Sequence, residues 1–149
     1  MKSRLSTMGR RRLFGVVVVG IFALVAAGVS QGGATPSTAK STVYNHRDEC
    51  TYDPAVRPVG TATFTRNKNI LTLKVSFHDA EPGTYTLYLY QFTGGTCGDS
   101  WQLGTFKVGA DGNGSKVGSV NVSGEGSYFF AAPYNNTTGF YNESDVVKV

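Results

Sequence analysis

Histidine, cysteine and tryptophan are scarce in this chain. Its 149 residues include two histidines, two cysteines and one tryptophan, and no acidic residue occurs before Asp48. Each scarcity excludes some chemistry. A zinc or copper site draws three or four ligands from His, Cys and carboxylates, and His46 and His78 alone do not build one once the cysteines are paired. A Ser-His-acid or Cys-His centre needs a histidine held against a nucleophile. His46 stands in a polar stretch, and His78 ends an alternating segment beside Asp79. The sequence therefore predicts a protein that is not an enzyme, with no catalytic residue, no metal and no cofactor.

The absence of acid from the first 47 residues marks an export leader. Lys2, Arg4, Arg10, Arg11 and Arg12 precede an uncharged apolar run over residues 13–29, and small residues follow. A basic head, an apolar middle and a small-residue exit are the parts of a signal peptide. The run exceeds the usual apolar core of ~7–15 residues and just reaches the ~17–25 needed to span a bilayer. Residues 1–30 are thus a signal peptide or an N-terminal membrane anchor, forming an apolar export helix. Arg11, Arg12, Leu13 and Phe14 also resemble a twin-arginine export motif. The expected location is extracellular or at the cell surface, with membrane contact only through an uncleaved leader.

Removing the leader reverses the charge. The formal net charge is +4 overall, but five of the 14 Lys and Arg lie in residues 1–12. Nine remain against ten Asp and Glu, so the exported part is −1. Nucleic-acid binding through counterion release needs clustered cations, and none occurs beyond residue 30. Residues 31–43, rich in Gly, Ser, Thr, Ala and Pro, are predicted to be a flexible linker. Residues 44–149 form a single domain. Two cysteines in an exported domain are most simply one disulfide, Cys50–Cys97. It would close a loop of about 47 residues and contribute ~4 kcal/mol in the chain-entropy account.

No segment beyond residue 34 shows helical periodicity. Period-two alternation dominates instead. It predicts strands over residues 59–66, 69–77, 84–92, 101–108, 116–122, 127–131 and 140–149. The fourth and fifth are expected to form a hairpin around residues 111–114, and the last is a continuous terminal strand that pairs within its own sheet or is donated to a neighbour. Seven short strands with regular turn signals predict an all-β, antiparallel, seven- or eight-stranded β-sandwich, immunoglobulin-like or a flattened Greek-key barrel.

Within residues 69–97, Asn69 is followed by ILTLKVSFHDAEPGTYTLYLYQFTGGTC, which resembles the strand pair of copper/zinc superoxide dismutases. That family places Gly-x-His-x-Phe-His-x-His-x-Phe before a glycine-rich loop and a cysteine. Gly83, Leu87, Leu89, Phe92 and Cys97 fall at comparable places, whereas the copper-binding histidines would fall on Tyr88 and Tyr90. The resemblance implies a sandwich fold and, at most, a degenerate dismutase-like metalloprotein. Residues 82–85 and 111–114 are also similar to turns of secreted bacterial and archaeal sandwich modules, which mostly lack an assigned activity.

Three features bear on function. With Tyr85, Leu87 and Leu89 facing the core, Tyr88, Tyr90 and Phe92 face outward as a stripe able to stack on sugars or anchor a partner. Asn113, Asn121, Asn135, Asn136 and Asn142 each begin an N-glycosylation sequon. Asp111, Asn113 and Ser115 are spaced like the start of a calcium loop, but Lys116 and Val122 occupy its glycine and glutamate positions. The expected role is a structural or interaction module at the cell surface, with self-assembly through sheet edges or contact with a protein or glycan. The alternative is a secreted carbohydrate- or peptide-binding module using the aromatic strand.

Overall fold

The structure, a computed structural model, describes residues 35–45, 57–124 and 127–149. The leader, His46 and Cys50 lie outside them. The described residues contain nine strands and no helix: β1 Ser37–Tyr44, β2 Pro58–Asn67, β3 Ile70–Phe77, β4 Gly83–Thr93, β5 Thr96–Val108, β6 Gly114–Asn121, β7 Tyr128–Asn135, β8 Glu143–Ser144 and β9 Val147–Lys148. They make two antiparallel sheets, ordered β6-β3-β2-β1-β8 and β5-β4-β7-β9.

Alternation decides which side of each sheet is buried. Leu71, Leu73 and Val75 of β3 are fully buried, as are Tyr85, Leu87 and Leu89 of β4. Both sheets contribute to one core, in which Phe64, Leu73, Leu87 and Phe129 meet. Aromatic rings join the layers: Phe77 and Tyr85 are 5.1 Å apart and Phe77 and Phe106 are 5.8 Å apart. At one end Arg66 is buried with its charge satisfied by backbone, donating to the carbonyls of Lys68 (2.9 Å), Val149 (3.4 Å) and Gly124. Such pairing is the condition for burying a guanidinium.

Three expectations need correction. The predicted linker over residues 31–43 overlaps β1, which pairs with β2 from Ser37 to Tyr44. Its inward positions are only Ala39, Ser41 and Val43, so it has little apolar surface of its own. Its order comes from the eight-residue register that β2 supplies.

The turn at Asp111 is present but joins strands of different sheets. β5 pairs with β4, and β6 pairs with β3. The sheets come close there: a Cβ on Gly118 would stand 2.6 Å from Leu103 Cβ, so only glycine fits. Gly112, at φ 74°, supplies the left-handed step of the turn. Finally, the expected terminal strand is two short ones. β8 joins β1 in one sheet and β9 joins β7 in the other, and exposed Asp145 and Val146 make the crossing.

Candidate functional site: an aromatic outer face

Tyr88, Tyr90 and Phe92 leave the core together, because β4 keeps strict alternation through Tyr85, Leu87 and Leu89. Their neighbours on β7 are also apolar. Tyr88 lies opposite Ala132, Tyr90 opposite Phe130 and Phe92 opposite Tyr128. On the β5 side the partners are Gln102, Ser100 and Cys97. The outer face of the four-stranded sheet is therefore aromatic across two strands.

This face is not an open stripe. Phe130 is 2% exposed, Ala132 0% and Tyr90 9%. Together they form a second apolar cluster, separate from the main core, against which Tyr88, Phe92, Cys97 and Tyr141 pack. Tyr90 stacks on Phe130 at 5.2 Å with an interplanar angle of 11°. Tyr88 is tilted against Tyr90 at 6.4 Å. Tyr134 and Tyr141, joined by an isolated β-bridge, extend the array with ring centres 4.8 Å apart. Half-exposed Tyr128 lies at the margin, with Lys148 Nζ 5.8 Å from its ring centre. The stripe expected to be exposed is thus a partly buried cluster with accessible rims at Tyr88, Phe92 and Tyr128.

Phe130, Tyr128, Tyr134 and Tyr141 were not among the predicted site residues. A signal for three of them exists, since Tyr128, Phe130, Ala132 and Tyr134 share one period-two set. Pro133 argues against continuing the strand past Ala131. In the fold it causes no break: Pro133 keeps its place opposite Leu87 of β4 and takes part through its carbonyl alone, which accepts from the Asn142 amide at 2.8 Å.

The five sequon asparagines divide by burial. Asn113, Asn121 and Asn136 are exposed. Asn135 and Asn142 are 1% and 4% exposed and cannot carry a glycan in this fold, which corrects the expectation for both. Asn135 Nδ2 donates to Tyr85 Oη at 3.0 Å, while its Oδ1 accepts from the Thr137 and Thr138 amides. Tyr85 Oη in turn donates to the Glu81 carbonyl at 2.8 Å. Burial raises the Tyr85 pKa above 10.0, against the lowering effect of the Asn135 hydrogen bond. Asn135 thus holds the turn that follows β7, and Asn142 donates to the Pro133 carbonyl from its amide at 2.8 Å and from Nδ2 at 3.5 Å.

Asp111 accepts from Asn113 twice, from its amide at 3.1 Å and from Nδ2 at 2.8 Å. Those hydrogen bonds hold its carboxyl below its ordinary pKa, and they are the bonds of a tight turn. His78 is exposed, with Nε2 3.9 Å from the Asp79 carboxylate. Among the described residues no three His, Cys, Asp or Glu gather as a metal-ligand set. Cys97 is half-buried at the edge of the aromatic cluster. No protein-family model matches the chain, and neither a curated protein nor a solved structure resembles it significantly.

Proposed function

We propose that this chain is an exported, non-catalytic interaction module of the cell surface. Its sandwich is of immunoglobulin-like or flattened Greek-key type, and a Cys50–Cys97 disulfide staples it. In this reading the rim of the aromatic outer face contacts a partner polypeptide. The observation that carries it is the accessible rim of the aromatic cluster, Tyr88, Phe92 and half-exposed Tyr128, held by buried Tyr90 and Phe130. Rigid rings supply contact area at low conformational cost. A second reading, sugar stacking on the Tyr88 and Tyr128 rings, uses the same rim.

The test is the mass of the mature protein from its own host, measured by light scattering. The wild type is expected above the mass of one domain, as a complex or polymer. The double variant Tyr88→Ala/Tyr128→Ala is expected to run as a monomer with unchanged Trp101 emission. A wild-type monomer, or a complex that survives the double substitution, rejects the polypeptide reading. Selective retention of the wild type by a glycan array would then favour the second.

A further inference from the structure

The outer face of the five-stranded sheet has a different chemistry, and its register sets that chemistry in rows. The central row reads Lys40, Thr63, Lys74 and Val117 across β1, β2, β3 and β6. The next row is wholly hydroxylic. In it Thr38 Oγ1 lies 3.4 Å from Thr65 Oγ1, and Thr72 Oγ1 lies 2.8 Å from Ser119 Oγ. The row on the other side again carries Ser or Thr on all four strands. No Asp or Glu occupies an outward position on these four strands, although the exported chain as a whole is slightly acidic. Ile70 and Val117, 46% and 56% exposed, stand on the same face.

Adjacent strands lie ~4.8 Å apart, which is close to the advance of one sugar along an extended polysaccharide. A glycan lying across the strands therefore meets one side chain per sugar on the central row. It meets an ammonium group at every second sugar, with the Thr63 hydroxyl between. Lysine ammonium groups donate to carboxylates, threonine hydroxyls both donate and accept, and the aliphatic side chains fit the C–H faces of the rings.

We propose that this face binds a linear anionic polysaccharide whose acidic sugar recurs at every second position, laid across β1, β2 and β3 on the Lys40–Thr63–Lys74 row. The charge complementarity is local to this face and opposite in sign to the domain. The site is independent of the aromatic rim and does not rest on the reading given to that rim.

Hyaluronan decasaccharide, an alternating glucuronate polymer, is the probe, with a neutral maltodextrin of equal length and polyglutamate as comparators. Titration calorimetry of the mature protein at low ionic strength is expected to detect hyaluronan binding and none to maltodextrin. Lys40→Gln/Lys74→Gln should weaken it about tenfold, as expected for two exposed charge-assisted contacts. Thr63→Val, which keeps every charge, should weaken it about threefold. Added salt should weaken the wild type progressively. Absence of hyaluronan binding overturns the proposal. So does polyglutamate binding of equal strength, which would mean charge attraction without sugar recognition, or a Thr63→Val variant that binds like the wild type. Unchanged Trp101 emission in each variant establishes that the fold is retained.

Discussion

The two outer faces of this sandwich are built on the same alternation and have opposite chemistry. On the five-stranded sheet the outward positions of β2 are Thr61, Thr63 and Thr65. On the four-stranded sheet those of β4 begin with Thr84 and Thr86 and continue as Tyr88, Tyr90 and Phe92. The inner faces are alike, both aliphatic and aromatic and both shared in one core. Folding constrains the inner faces strongly and the outer ones only weakly, since an antiparallel sheet can leave one side in water. Threonine is an ordinary answer to that freedom, because it favours the strand and stays soluble. A stacked Tyr90–Phe130 pair on the opposite side is not an ordinary answer, and so contact function is sought there first.

The largest effects should test whether the aromatic face is a second core. Phe64→Ala, in the centre of the main core, is expected to cost about 3–5 kcal/mol in urea unfolding followed through Trp101. Phe130→Ala should cost about 2 kcal/mol, the transfer contribution of one buried ring without a cavity enclosed between two sheets. Equal losses would make the outer cluster part of the folding core and weaken its reading as a contact surface.

A smaller effect separates an inward tyrosine from an outward one. Tyr85→Phe removes the donor to the Glu81 carbonyl and leaves Asn135 Nδ2 without its acceptor, a loss of about 1–3 kcal/mol. Tyr88→Phe should change stability by no more than about 0.5 kcal/mol. The pH dependence gives an independent check. The folded-state pKa of Tyr85 is raised above 10.0, so the unfolded chain loses its proton first as pH rises. Stability conferred by neutral Tyr85 is fully present below 10.0 and is lost as pH rises from there towards the folded value. The alkaline limb of the stability profile should be shallower in Tyr85→Phe, and an unchanged limb would remove Tyr85 as its source.

The smallest effect belongs to the hydroxyl face. Thr72→Val breaks the pairing with Ser119 but keeps a β-branched side chain in an exposed sheet. Thermal unfolding should place the change within about 0.5 kcal/mol. A larger loss would mean that the hydroxyl rows help to hold the sheet, and that the two outer faces differ less than their chemistry suggests.

The sequence made β2, β3 and β4 legible to within a residue or two, because each alternates strongly and ends at a turn. It also placed Tyr85, Leu87 and Leu89 inward. Other features were hidden for identifiable reasons. β1 has Ala39 and Ser41 where a strand would ordinarily show larger apolar residues, so only its pairing with β2 reveals it. β8 and β9 read as one alternating strand because alternation carries no information about which sheet a residue joins. At the candidate site, the direction of Tyr88, Tyr90 and Phe92 could be read, but their degree of exposure could not. Exposure depends on Phe130 and Ala132, which become neighbours only through the β4–β7 register. The burial of Asn135 and Asn142 was likewise invisible, since a sequon reads the same whether its asparagine side chain is buried or exposed.

The junction between β1 and β2 has a practical consequence. The Asn45 amide donates to the Arg57 carbonyl at 2.9 Å, and the Arg57 amide donates to Asn45 Oδ1 at 2.8 Å. Chain departure and return are thereby fixed at one point, and Arg57 is further anchored to the Asp79 carbonyl at 2.9 Å. Closure entropy grows only logarithmically with length, so the sheets are indifferent to how many residues intervene. Each doubling of the connection between Asn45 and Arg57 is therefore expected to cost only about 0.6 kcal/mol, and both sheets should keep their register when that connection is lengthened.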